Sequence, residues 1–273
     1  MNIFKKYMTI TFPKVAKSYL NYINNRSTRL LGIKETALGF KFSGNKFMQD
    51  GTFEPKKTKL LSKLLINSEV FVDIGANIGF YCCLAKLLNN HVIAFEPDSD
   101  NLQVLYSNLV ANGWCDVEVF PMGLAEAPRI AELYGFGTGA SLIPNWAGVP
   151  STLNNSIALS TLDIALSKRF SNKKILIKID VEGAELAVLK GSLDLLEFHP
   201  NLTFLIEICL TEHHPQGVNP NFYNVFELFD CYGYVARTVE QESKVVTLSV
   251  AKEWSTTGIR TYGHINFLFQ KGS

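Results

Sequence analysis

The stretch Val70-Phe71-Val72-Asp73-Ile74-Gly75-Ala76-Asn77-Ile78-Gly79-Phe80-Tyr81 decides the fold. A short β-branched and aromatic run ends at Asp73, a glycine turn follows, and an apolar helical pattern opens over residues 78–89. Strand, tight turn and helix in that order begin a βαβ unit. Gly75 can turn where a Cβ would clash, and Gly79 permits close approach of helix and strand. The loop Gly75, Ala76, Asn77 and Gly79, with the helix start behind it, predicts a polar cradle for a ligand. The spacing is not GxGxxG, because Asn77 stands where the second glycine would. No Gly-Lys-Ser/Thr follows either, so this is not a phosphate loop. Asp73 adds a carboxylate that opposes a phosphate and suits an ammonium or sulfonium group.

Working outward, His91 to Phe95 is a second strand ending in Glu96-Pro97. Glu96 lies 17 positions after Gly79, where an acid can accept both hydroxyls of an adenosine ribose. Asp98 or Asp100 can cap the next helix, whose stripe is Leu102, Leu105, Leu109 and Val110. Val117–Phe120 is a third strand. Residues 121–160, rich in glycine and proline, break the alternation; so long an irregular segment is usually functional or mobile. It resumes with a strand at Ile175–Ile179, a helix at Ala184–Leu196, a strand at Leu202–Ile208 and a helix at Asn221–Phe229. The end reads as strands alone: Tyr234–Val239, Lys244–Val250 and His264–Phe269. Alternation of this kind predicts a parallel sheet built from right-handed βαβ units, with an antiparallel edge. Upstream, residues 14–23 have one apolar helical face, residues 36–54 look extended, and Leu60–Leu65 reads as a short helix. The division expected is an N-terminal appendage over 1–60 and a main domain over 61–273.

A second constellation is Lys178-Ile179-Asp180-Val181-Glu182-Gly183-Ala184-Glu185, at the end of the fourth strand. If this strand neighbours the first, the sheet order reverses between them and a crevice opens there. Three acids in six residues can cap the helix, bind an acceptor and take its proton, or hold a hard metal. Acceptor binding or base work by Asp180 and Glu182 is favoured, and no metal is assigned. Glu207, ending the next strand, would point into the same crevice. His213 and His214 follow in a loop, where either could shuttle a proton, although loop histidines are more often inert.

Taken together these residues resemble the FkbM family of S-adenosylmethionine-dependent methyltransferases. The resemblance rests on Gly51-Thr52-Phe53-Glu54-Pro55, Val72 to Gly79, Ala94-Phe95-Glu96-Pro97, Ser160-Thr161-Leu162-Asp163, Ile177 to Glu185, Leu189-Lys190-Gly191 and Asn266-Phe267-Leu268-Phe269. It implies a Rossmann-like α/β fold: a seven-stranded methyltransferase sheet, six strands parallel and the last antiparallel, with helices on both faces. A helical and β-hairpin extension would precede it. It also implies transfer of a methyl group to a hydroxyl on a sugar, glycan or natural product. Asp73, Gly75, Ala76, Asn77 and Gly79 would hold the methionine part of S-adenosylmethionine, Glu96 the ribose, and Asp180 would lie near the methyl. Asp180, Glu182 and Glu207 are then the candidate catalytic acids. The alternative is an accessory protein that binds the donor without catalysing; a nucleotide-dependent dehydrogenase is disfavoured by Asn77.

The charge is divided. Residues 1–34 hold seven basic and no acidic residues, and the remainder holds 19 basic against 25 acidic, a net of −6. An acidic body disfavours nucleic acid as a partner. The basic arm can pack on the acidic body or on a second subunit of a homodimer, or lie on an anionic membrane surface. With 47% hydrophobic and 19% charged residues the chain is not disordered. No run approaches the ~18 apolar residues of a membrane span. The five cysteines have neither zinc nor CxxC spacing, which fits small, reduced core residues in a cytoplasmic protein.

Overall fold

The computed structural model describes residues 32–166, 169–239 and 243–272. The helix expected over 14–23 lies outside the described residues, as does nearly all of the basic arm. Two short strands, β1 (Lys34–Glu35) and β2 (Lys41–Phe42), pair antiparallel, and helices α1 (Lys46–Gln49) and α2 (Pro55–Ile66) follow. Pro55 suits the first turn of α2. Lys57, Leu61 and Leu65 make its buried stripe, and the helix runs across residue 60.

The first half of the sheet is β3 (Val70–Ile74), α3 (Phe80–Leu87), β4 (His91–Phe95), α4 (Ser99–Ala111) and β5 (Glu118–Phe120). The segment after it builds a separate three-stranded sheet from β6 (Gly123–Leu124), β7 (Arg129–Tyr134) and β8 (Asn154–Ser160). Then come α5 (Leu162–Leu166), β9 (Ile175–Ile179), α6 (Glu185–Lys190), α7 (Leu193–Phe198), β10 (Leu202–Glu207) and α8 (Phe222–Cys231). The chain ends with β11 (Tyr234–Thr238), β12 (Val245–Val246), α9 (Leu248–Thr257) and β13 (Asn266–Lys271).

The main sheet has the order β12-β11-β13-β10-β9-β3-β4-β5. It holds eight strands rather than the expected seven, because the two-residue β12 adds to β11. The last strand is antiparallel, but it is not an edge: β13 is inserted between β10 and β11 and pairs with both. Two further expectations are corrected. Residues 244–250 are not all strand, since Thr247 caps α9, whose Ala251 and Trp254 are buried. The single helix expected over 184–196 is two, broken at Gly191-Ser192. A Cβ on Gly191 would overlap the Ala125 carbonyl oxygen, so the insertion presses its backbone directly onto this break.

Alternation across the pleat sorts the core into two layers. Val70, Val72, Ile74, Ile175, Ile177, Ile179, Phe204 and Ile206 face a cluster containing α5 to α9. Phe71, Leu176 and Leu205 face the other cluster, with α2, α3, α4 and the Phe40/Phe42 hairpin. Asp73, Lys178 and Glu207 share the parity of that second face, so β3, β9 and β10 each bring one charge to it. Cys82, Cys83 and Cys209 are buried, but Cys115 and Cys231 are exposed, so the cysteines are not all core. Among the described residues no helix is long and apolar enough to cross a membrane.

Gly191→Ala should cost about 2–3 kcal/mol, since neither backbone can move without disturbing packed strands. Thermal unfolding should show a midpoint lower by roughly 5–10 °C.

Candidate active site

β3 and β9 are parallel neighbours, with Asp73 opposite Lys178 and Ile74 opposite Ile179. The strand order reverses between them, and a cavity of about 220 Å3 opens at their C-terminal ends. Its walls come from the loop after β3, the ends of β4, β9 and β10, the start of α2, and the three-stranded insertion.

The loop after β3 is closed on itself. Gly75 (φ +80°) and Ala76 donate their amides to the Phe95 carbonyl at 2.9 and 3.0 Å. Asn77 donates its amide to Glu96 Oε2 at 2.7 Å, Ile78 to Asn77 Oδ1 at 2.7 Å, and Gly79 to the Ala76 carbonyl at 2.9 Å. The expected cradle of free amides is therefore corrected: all five are already used inside the protein. A Cβ on Gly75 would overlap the Asp180 carbonyl oxygen, so this turn and the segment after β9 are in backbone contact. Gly75, Ala76 and Asn77 line the cavity; Gly79 does not, and its close neighbour is Leu105 of α4.

Glu96 lines the cavity at the end of β4 and is 5% exposed. Its Oε1 accepts from the Asp98 amide at 2.9 Å and Asn101 Nδ2 at 3.2 Å, and its Oε2 from Asn77. Burial pushes its pKa up to about 7, against the pull of those donors. The donors fix the plane of the carboxylate while leaving acceptor capacity on its oxygens.

Asp73 does not line the cavity. It is fully buried, forms an ion pair with Lys178 Nζ at 3.0 Å, and accepts from Cys82 Sγ at 3.3 Å. Its carboxylate secures Lys178, which does line the cavity. Lys178 reaches on to Asp180 at 3.5 Å. Asp180 and Glu207 both line the cavity and share a second buried cation, Lys57 Nζ, at 3.0 and 2.9 Å. Lys57 also lies 3.4 Å from Glu54, which accepts from Tyr81 Oη at 2.6 Å. Burial disfavours the Lys57 ammonium, but Asp180, Glu207 and Glu54 outweigh it and hold its pKa well above the ordinary value. Burial likewise disfavours the Asp180 carboxylate, yet Lys57 and Lys178 keep it below its ordinary range. Glu207 shifts the other way, raised by burial and then by the charge of Asp180.

Glu182 lines the same cavity and has a neutral partner, Trp146 Nε1, at 2.7 Å. His213 and His214 do not line it; their rings lie 6.3 and 5.7 Å from that of Trp146. Among the described residues no group of three or more acidic, histidine or cysteine side chains is arranged to hold a metal ion. Lysines satisfy the carboxylates that a hard metal would need. Glu54, Asn77 and Glu182 all have positive φ and all line the cavity, a clustering of backbone strain common at functional sites.

Sequence reading missed Lys57, Lys178, Tyr81 and Glu54. Lys178 was detectable as the one charge in the buried strand Ile-Leu-Ile-Lys-Ile, and Lys57 as a charge on the 57/61/65 stripe of α2.

Residues 73–236 match the family model described as the methyltransferase FkbM domain. The chain belongs to this family. It is also 28% identical over 172 residues to the hexuronic acid methyltransferase AglP of Haloferax volcanii; the match covers 59% of this chain and 62% of that protein's length. Among solved structures, methyltransferase FkbM from Methylobacillus flagellatus aligns over 94% of this chain and 60% of that one (16% identity, TM-score 0.45). The O-methyltransferase from Bacillus cereus, solved with SAH, aligns over 97% of this chain and 94% of that one (14% identity, TM-score 0.44).

Two stability measurements check the electrostatics. Lys57→Met leaves Asp180, Glu207 and Glu54 without their shared cation and should cost about 3–5 kcal/mol in denaturant unfolding at pH 7. The deficit should shrink toward pH 5, where the stranded carboxylates can protonate. Glu185 is 3% exposed, accepts from the Gly183 amide at 2.8 Å, and is raised by burial from 4.5 to about 8. Between those two values the folded chain holds a proton that the unfolded chain has released, so stability falls as pH rises. Glu185→Gln should remove that slope, gaining roughly 2–4 kcal/mol at pH 8 and almost nothing at pH 4.5.

Proposed function

We propose that this chain transfers the methyl group of S-adenosylmethionine to a hydroxyl oxygen of a sugar, glycan or other small-molecule acceptor. The observation that carries the reading is one cavity, at the point where the sheet order reverses, lined at the end of β4 by Glu96 and at the end of β9 by Asp180. Family membership supports methyl transfer. The relative named for hexuronic acid supports a sugar acceptor.

The residues fit this donor. Glu54, Glu96, Asp180, Glu182 and Glu207 line the cavity against two cations, Lys178 on its wall and Lys57 behind it, so acids outnumber bases and a positively charged ligand is favoured. A loop whose amides are all engaged offers nothing to a pyrophosphate. Glu96, fixed by three donors, suits a ribose diol. When bound, S-adenosylmethionine supplies a methyl carbon made electrophilic by its sulfonium. The protein's first task is alignment: the Gly75 turn, in backbone contact with the Asp180 segment, gives both halves of the site one rigid reference. Asp180, kept anionic by two lysines, provides fixed negative charge and is a weak proton acceptor for that reason. Proton removal from the acceptor hydroxyl is left to Glu182 or Glu207, both raised by burial.

Isothermal calorimetry with S-adenosylmethionine tests the reading. Wild type should bind saturably, and Glu96→Gln, which keeps size but loses charge, should bind about tenfold or more weakly. Absence of saturable binding to wild type would falsify the reading.

A further inference from the structure

We infer that Trp146, carried by the segment between β7 and β8, is a positioning residue that sets Glu182 as the proton acceptor of the reaction. The inference rests on the methyl-transfer reading above and assigns the proton's destination within it.

Three acids on the cavity wall could take the proton, and their partners distinguish them. Asp180 faces Lys57 at 3.0 Å and Lys178 at 3.5 Å. Glu207 faces Lys57 at 2.9 Å. An ammonium at that distance favours the anion: it helps hold Asp180 below its ordinary range and draws Glu207 back, although burial and the charge of Asp180 still leave Glu207 raised. Glu182 has no ion-pair partner within reach among the described residues, and its Oε2 accepts from the neutral indole N–H of Trp146 at 2.7 Å. That bond orients the carboxylate; it and the more distant Lys57 lower the basicity of Glu182, and burial with the charge of Asp180 outweighs both.

The surroundings show that the arrangement is built. Glu182 (φ +53°) and Gly183 (φ +96°) are consecutive left-handed residues, which turns the Glu182 side chain out of the helix start. A Cβ on Gly183 would lie 2.6 Å from both Trp146 Cζ3 and Ile143 Cδ1, so the indole packs on bare backbone. Ser141 Oγ donates to the Glu182 carbonyl at 2.6 Å and accepts from the Ile143 amide at 2.9 Å. Trp146 is 1% exposed, and the next residue, Ala147, donates its amide to the His213 carbonyl at 2.8 Å. Thus one segment holds Glu182 by side chain and by backbone. The same segment supplies Thr138, Ala140 and Leu142 to the cavity wall. Whatever acceptor rests on that wall is in register with Glu182.

The groups that face Glu182 are Asp180 and Glu185 from its own segment, Glu207 from β10, Lys57 from α2 and Trp146 from the insertion. Burial and then the charge of Asp180 raise its pKa to about 7, and the Trp146 N–H draws it back. In the step itself, a lone pair of the acceptor oxygen forms the new C–O bond, the C–S bond breaks with its electrons going to sulfur, and the hydroxyl proton passes to Glu182. The products are a methyl ether, S-adenosylhomocysteine and a neutral Glu182, which then releases its proton to water.

The 1H–15N indole resonance of Trp146, identified by its loss in Trp146→Phe, tests this without knowledge of the acceptor. In wild type it should shift with pH around a midpoint near 7. It should cease to titrate in Glu182→Gln and still titrate in a His213→Asn/His214→Asn double variant. Unmoved Trp114 and Trp254 resonances would show that the variants are folded. Adding S-adenosylmethionine should lower the midpoint by about one unit, and S-adenosylhomocysteine, which lacks the sulfonium charge, should lower it less. Titration that persists in Glu182→Gln, titration lost in the histidine variant, or equal midpoints with the two ligands would each overturn the assignment. A donor that fails to bind by calorimetry instead overturns the methyl-transfer reading, and leaves the titration of the free protein as a separate result.

Discussion

Asp73, Lys178, Asp180, Lys57 and Glu207 form a line of alternating charge through the face of the sheet that α2 and α3 cover. Each ion would be costly to bury alone, and each is tolerable because its neighbour has the opposite sign. The line ties together β3, β9, β10 and α2, four elements far apart in sequence. It also constrains register. Slipping β9 by one residue against β3 would carry Lys178 to the opposite face, beside Val72 and Ile74 of β3, and leave Asp73 buried without a cation. The apolar rows on either side would tolerate several registers; the charges admit one. Asp180 is therefore located by the same interaction that aligns the strands.

Two kinds of support meet at the cavity. At the end of β4, Glu96 is gripped by backbone amides and Asn101, all within the β3–α4 region. At the end of β9, Glu182 is gripped by Trp146 and Ser141, which belong to the insertion. The first grip is local and comes with the sheet. The second depends on a segment that has a small sheet and core of its own and meets the main domain closely at Gly183 and Gly191.

Much of the fold was legible because its elements are local. Val70–Ile74, the Gly75 turn and the helix after it announce themselves by periodicity and a breaker, and Glu96 follows at a readable distance. What could not be read were features created by contact between distant segments. Nothing near Gly191 in sequence reveals the Ala125 carbonyl that divides the helix there. Nothing near Asp73 states that its carboxylate is taken by Lys178, 105 residues later. Trp146 lay in a stretch without periodicity, so its bond to Glu182 had no local signature. The antiparallel β13 was recognisable as a strand, but its place between β10 and β11 is a matter of topology. The overlooked lysines differ in kind: both broke an apolar pattern, and a buried cation demands a partner, so they were available to a stricter reading.

The proposed acid has a thermodynamic consequence for the order of events. In the free site burial holds Glu182 near pH 7, partly protonated and therefore only partly able to accept a proton. On the proposed reading, a sulfonium in the same acidic cavity favours the carboxylate, raising the fraction able to accept a proton while lowering its affinity for one. In the proposed step, methyl transfer removes that positive charge and the acceptor proton passes to Glu182. A neutral thioether and a neutral carboxylic acid then replace a sulfonium and a carboxylate, with no change in the summed charge of the pair. Asp180, kept anionic by its lysines, holds its charge throughout and so supplies a constant field.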